Sequence, residues 1–299
     1  MSAFTRIDLS RLPAPSVVDV PDYEAILAEM KAAASAAMPE LAPVLELESE
    51  PALKVLQVCA VYVMLSRAEK NDAARSVMLA FATGSDLDHL GALFGVARAV
   101  LVPGDPAAAP PVPAIMEDDT RLRTRIQLAL EGFSTAGPVG AYTYHALSAS
   151  PLVRDVAITS PEPGAVLVTV LATIGDGSSD AALLATVESA LGAESVRPLT
   201  DLVTVAPAQI VSYAVNAEIA VLDGPDPALV LAEAQAAATA HVEERRALGM
   251  GVARSGLFAA LHRAGVASVT LTSPAADINC TALQSAHCTA ITLTTGGGA

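Results

Sequence analysis

The sequence predicts an α+β protein: an N-terminal helical segment followed by two small α+β domains. Three observations support this. A long stretch after residue 50 repeats apolar residues at helical spacing, and a proline-rich run interrupts the chain near residue 100. Beyond residue 150, apolar strands alternate with helical segments. At 299 residues the chain is long enough for two or three domains, each with its own core.

Residues 1–20 read as an arm. Phe4, Ile7, Leu9 and Leu12 are apolar, and Pro13, Pro15 and Pro21 forbid a continuous helix. Such an arm either folds back on its own core or docks on a neighbouring subunit. Pro21, Asp22 and Glu24 suit a helix N-terminus, and Ile26, Leu27 and Met30 continue as a helical stripe. After Pro39 and Pro43, the segment Ser49-Glu50-Pro51 opens the strongest helix, predicted to reach about Phe81. Leu53, Leu56, Ala60, Val63 and Met64 share one face, which Ala74, Val77, Met78 and Phe81 resume beyond a polar block, Arg67 to Asp72. That block is either a solvated turn or a polar seam where helices of several subunits meet. Gly84 is expected to close the helix as a C-cap, and Ser85 with Asp88 to cap a shorter helix ending at Gly95.

Residues 99–116 contain five prolines and are predicted to form an extended, semi-rigid linker at a domain boundary. The organisation is therefore an arm (1–20), a helical region (21–98), this linker, a first α+β domain (117–207), a second (208–275) and a tail (276–299). In the first domain a helix carries Leu122, Ile126 and Leu130, with Arg121, Arg123 and Arg125 on the opposite face. Gly137-Pro138 breaks it before a helix over 141–149. Strands over 153–159 and 165–174, a helix around Leu183–Leu191 and a strand over 202–206 follow. The second domain reads as a strand over 210–222, helices over 227–246 and 255–264, and a strand over 266–272. The Thr-rich tail is expected to be an edge strand or an extended arm.

Composition excludes several functions. The net charge of −15 opposes binding to a phosphate backbone, which needs clustered Lys and Arg. Aromatics make up 3% of the chain and Trp is absent, which argues against a deep aromatic ligand pocket, whereas Ala-rich helices suit bundles. The N-terminus has no basic region followed by an apolar run. The most apolar helical stretch, Val55 to Leu65, is about half the length of a membrane span, so a soluble chain without membrane insertion is expected. Three cysteines, Cys59, Cys280 and Cys288, are too few and too odd in number for a disulfide framework.

Each stretch that resembles a chemical site has a structural reading. Glu117-Asp118-Asp119 carries acids where a helix N-terminus favours them. The loop Gly175 to Asp180 lacks the alternating ligands of a calcium site and suits a strand-to-helix turn with Ser or Asp as N-cap. Gly249-Met250-Gly251 follows a helix rather than a strand, so the dinucleotide-binding context fails. His89, His145, His241, His262 and His287 show no ligand spacing. No catalytic, cofactor or metal residue is assigned, and no enzymatic activity is expected. Cys280 and Cys288, eight apart, are free thiols by default and a possible disulfide, within or between subunits, once exposed to oxidant.

Several stretches taken together resemble the baseplate J family of contractile tails. They begin with FTRIDLSRLP (Phe4–Pro13), DYEAIL (Asp22–Leu27) and Glu48 to Pro51 ahead of the long helix, with Arg67 and Asn71 a turn apart. They continue with ATGSDLDHL (Ala82–Leu90) and Gly95 to Arg98, Glu117 to Asp119 with Arg121, Arg123 and Ile126, and Ser134 to Pro138. Ala141-Tyr142, Val153 to Val156, Pro161 to Gly164, Val196 to Asp201 and Gly265-Val266 complete the set. The resemblance runs over about residues 4–275 and leaves the tail unmatched. It implies a baseplate wedge component of a phage tail, synthesised and assembled in the bacterial cytoplasm and located in the virion baseplate. Two copies would join one tail protein I-type subunit through a helical core bundle, with a sheath initiator of the lysozyme-like wedge family and hub or spike proteins as further partners. The helices over about 21–95 would supply the bundle. Leu53, Leu56, Ala60, Val63, Arg67 and Asn71, with Phe4 and Leu9 of the arm, are the candidate interface residues. The competing readings are the equivalent subunit of a tailocin or other non-viral injection system, and an envelope-degrading baseplate enzyme.

Overall fold

The computed structural model describes residues 7–13, 22–194, 196–224 and 226–296. Its class is the predicted one, α+β, with helices first and small sheets after. The chain divides into two compact units: a helical unit that ends at Arg98 but takes in Asp118–Ile126, and a second unit holding Ala99–Glu117 and the chain from Gln127 onward.

In the helical unit α1 (Tyr23–Ala37) starts where the Asp22 carboxylate accepts from the Glu24 N–H at 2.9 Å. After α2 (Leu41–Val44), α3 (Pro51–Ser76) begins with proline in its first turn and the Glu50 carboxylate as cap. Ile26, Leu27, Leu45, Leu53 and Ala60 form the buried centre of this unit. The helix ends at Ser76, short of the expected Phe81, and the chain beyond it is held by a residue of a later helix. The Arg123 guanidinium donates to Leu79 O at 2.8 Å and to Ala82 O at 2.7 Å. Gly84 does not cap α3. It opens α4 (Gly84–Ala92) at φ +53°, a conformation that suits glycine.

The proline-rich stretch is not extended. β1 (Val100–Val102) pairs antiparallel with β2 (Ile115–Met116), and Asp105 and Val112 exchange backbone hydrogen bonds of 2.9 Å below the tip. The N–H donors fall on non-proline residues. At Gly104 the strands approach so closely that a Cβ would lie 2.6 Å from Ala114 N. Helix α5 (Asp119–Leu128) follows.

The first sheet has the order β3-β4-β5. β3 (Val153–Thr159) is antiparallel to β4 (Ala165–Ala172), and β5 (Leu202–Pro207) is parallel to β4 after the crossover helix α7 (Ala181–Leu191). Helix α6 (Val139–Ala149) precedes β3, and Tyr142, Ala146, Val168, Val170, Val187 and Leu191 are at the core. Tyr142, 1% exposed, donates its hydroxyl to Asp201 Oδ2 at 2.8 Å, which ties α6 to the loop before β5.

The second sheet has the order β7-β6-β8. β6 (Gln209–Val221) pairs antiparallel with β7 (Val266–Ser273) and parallel with β8 (Gln284–Gly296). Helices α8 (Pro227–Arg245) and α9 (Arg254–Leu261) bury Val215, Ile219, Ala234, Ala238 and Leu257 against it. Of the two alternatives for the tail, the structure takes the edge strand.

Replacing Tyr142 by Phe leaves the Asp201 carboxylate without its buried donor. The expected loss of unfolding free energy in urea is about 1–3 kcal/mol, with the fold unchanged by circular dichroism.

Candidate assembly interface

Helix α3 is apolar on two sides. Leu53 and Ala60 are buried in the helical unit's own core, with Leu56 and Val63 half-buried against the same cluster. Arg67 reaches Glu29 of α1 at 3.2 Å, and Asn71 is buried. These six predicted interface residues therefore lie together along α3, the first four within the chain's own core. Leu9 is half-buried in a short 3-10 turn, and Phe4 lies outside the described residues. The surface that α3 leaves uncovered is another stripe. Val55, Val58, Tyr62 and Leu65 are 62%, 56%, 69% and 48% exposed, with Val61 and Cys59 beside them. Their spacing of three, four and three is that of a helix–helix seam, a signal present in the sequence but masked by the stronger stripe on Leu53.

By length and composition α3 is also long and apolar enough to cross a membrane, which the shorter Val55–Leu65 stretch is not. Arg67, Glu69, Lys70, Asp72 and Arg75 fill its last third. The part before them rises only about 24 Å at ~1.5 Å per residue, against a hydrocarbon core of about 30 Å.

The end of the helical unit is held by charge-assisted bonds. Arg98 contacts Asp88 and Asp119, each at 2.7 Å, and Asp119 also accepts the Gly84 N–H at 3.1 Å. Arg125 donates to Ala97 O at 3.2 Å, and Asp118 caps α5 through the Arg121 N–H. Arg98's hydrogen bond holds the Asp119 carboxyl below the ordinary carboxylate range, with burial opposing it. The three adjacent acids thus serve separate ends. Glu117, in the other unit, is 2% exposed and accepts the Ala99 N–H. Among the described residues no group of three or more His, Cys, Asp or Glu is placed to hold a metal.

The other sequence candidates are turns. Asp180 caps α7 at Leu183 N, Asp176 accepts from Ser178 N, and Gly249 at φ +74° begins the turn after α8. Cys280 and Cys288 are free thiols packed on the core of the second sheet, and burial pushes both thiols up.

The comparisons follow this anatomy. The Baseplate J-like N-terminal domain matches residues 48–105, the central domain 134–207 and the C-terminal domain 213–294. Baseplate protein J of Escherichia phage P2 is 44% identical over 296 residues, 97% of this chain and 98% of that one. The chain belongs to the baseplate J-like family. Its N-terminal match holds α3, α4 and β1. Its C-terminal match takes in Cys280, Cys288 and β8 as far as Thr294, so most of the tail that the sequence resemblance left unmatched lies within the family's own domain. Among solved structures, the baseplate of the anti-feeding prophage is similar with a TM-score of 0.37 and 14% identity, over 61% of this chain. This chain spans 44% of that one.

Two measurements test this anatomy. A depressed Asp119 pKa means that its stabilisation is fully present above about pH 4, the unfolded value, and is lost as pH falls through the folded value. The urea midpoint should therefore drop between pH 4 and pH 2.5, and by less in Asp119→Asn. In alkylation at pH 8, Cys59 should react at least tenfold faster than Cys280 or Cys288, whose thiolates form only at more alkaline pH.

Proposed function

We propose that this chain is a structural subunit of a contractile phage-tail baseplate, acting in its wedge. The observation that carries the reading is identity along nearly the whole chain to a protein named for the baseplate. The exposed seam of α3 supports the assembly role: four large apolar side chains at helix-packing spacing make a surface that water disfavours and another helix would cover. In this reading Leu53, Leu56, Ala60 and Val63 set the helix on α1, Arg67 and Asn71 extend the same line, and Val55, Val58, Tyr62 and Leu65 meet the other subunits. Those subunits are a second copy and one tail protein I-type chain in a 2:1 wedge, with the sheath initiator and hub as further neighbours. Attachment to a host rearranges the ring, and interfaces with two packed states pass the change to the sheath. The role requires no catalysis.

Co-expression with the tail protein I-type subunit should yield a stable 2:1 complex. Val58→Asp should weaken that complex at least tenfold while shifting the chain's own stability by no more than about 0.5 kcal/mol, as expected for an exposed site. A chain that stays monomeric in the presence of that subunit would overturn the wedge reading.

A further inference from the structure

We infer that the end of α8, from Glu243 to Leu248, is a clasp that locks the family's central and C-terminal domains into one rigid body, so that they turn together when the baseplate rearranges. Only the turning rests on the baseplate reading; the clasp is a property of the chain itself. The two matched domains end at residue 207 and begin at residue 213, a place where independent modules would have a flexible linker. No such linker is present. β5 ends at Pro207 and β6 begins at Gln209, with only Ala208 between them, 7% exposed. The Ala208 N–H donates to Val170 O of the first sheet at 2.9 Å, and the next N–H, of Gln209, donates to Leu283 O beside the second at 3.0 Å. Successive amides are thus bound to different sheets. Proline fixes φ at 207, and no glycine lies between Gly192 and Gly224 to supply a hinge.

Two neighbouring residues of β3 make the clasp. Arg154 donates from Nε to Arg246 O and from Nη2 to Glu243 O, each at 2.8 Å, and Nη2 also lies 3.0 Å from the Glu243 carboxylate. Asp155 accepts the Leu248 N–H at 2.9 Å through Oδ2. In a regular strand adjacent side chains point to opposite faces, so these two would not both meet one turn of chain. β3 is irregular at this point: Val153 pairs with Ala172 and Asp155 with Leu171, which leaves Arg154 as the extra residue. A bulge of this kind re-aims a side chain, and here it lets Arg154 and Asp155 both reach the end of α8.

The end of α8 grips back. Arg246, 9% exposed, donates to Gly175 O at 2.7 Å in the loop after β4, and its Nη1 lies 3.7 Å from the Glu243 carboxylate. In the same loop Gly177, at φ +103°, packs so near Ile210 of β6 that a Cβ there would stand 3.3 Å from its side chain. Carbonyls at a helix C-terminus are short of N–H donors, and one guanidinium serves two of them across the joint. A lysine at 154 would carry the charge without the planar fork.

Hydrogen exchange of the backbone amides of the full chain tests the clasp. In the parent, the Ala208, Gln209 and Leu248 amides should exchange within tenfold of those in the central strands β4 and β6, because all open only with the whole body. Arg154→Met keeps the length of the side chain and removes its donors. It should speed the three joint amides at least tenfold more than those of β4 and β6, with an unchanged circular dichroism spectrum. Arg154→Lys, the milder change, should move them the same way by a smaller factor. Joint amides that already exchange freely in the parent, or that keep their protection in the variants, would sink the clasp. Equal acceleration of every amide would sink it too, since a residue that only adds stability acts in that way. Capture of the tail protein I-type subunit is measured separately. A chain that captures nothing but keeps its joint protected loses the wedge reading alone, and the reverse pattern loses the clasp alone.

Discussion

Helix α3 is too apolar for the chain that contains it. Its inner face is matched by α1 and α2, through Ile26, Leu27 and Leu45, but no described element supplies the residues to cover Val55, Val58, Tyr62 and Leu65. A helix of this kind has a stable position in its own chain and an unsatisfied surface outside it, which is the condition for assembling without first unfolding. The spacing of those residues makes them one continuous stripe, whereas the same residues scattered singly would be an ordinary protein surface.

The joints between elements depend on a few arginines aimed at backbone carbonyls. Arg123 takes Leu79 O and Ala82 O, Arg125 takes Ala97 O, Arg154 takes Arg246 O, Arg246 takes Gly175 O and Arg254 takes Leu271 O. A planar guanidinium with several donors can satisfy carbonyls that have left a helix or strand, which a small aliphatic side chain cannot. In a chain with so few large aromatic residues, these bonds set the element ends that core packing leaves loose. Of these arginines, Arg125 and Arg246 are buried.

Much of this fold was legible in the residues. The start of α3 at Pro51, the alternation of strands and helices after Val153 and the turn chemistry around Asp180 all follow from local rules: fixed φ at proline, side-chain period and capping. The seam was legible too, but weakly, because Val55, Val58, Tyr62 and Leu65 share a helix with the stronger stripe on Leu53. Periodicity shows that a helix has two apolar faces without showing which is covered inside the chain.

What the sequence determined by itself is the class of fold, the order of its elements and, through the order and spacing of its motifs, the family. What only the tertiary structure decided is where elements stop and which faces remain open. α3 stops at Ser76, and Arg123, distant in sequence, holds the carbonyls of Leu79 and Ala82 beyond it. The proline-rich stretch folds back because its few N–H donors meet acceptors across a ribbon. The Thr-rich tail is a strand because β6 offers it a long free edge. The first and last of these outcomes depend on pairing between residues far apart in the chain, and the second on pairing across a ribbon; local propensity carries no record of such pairing.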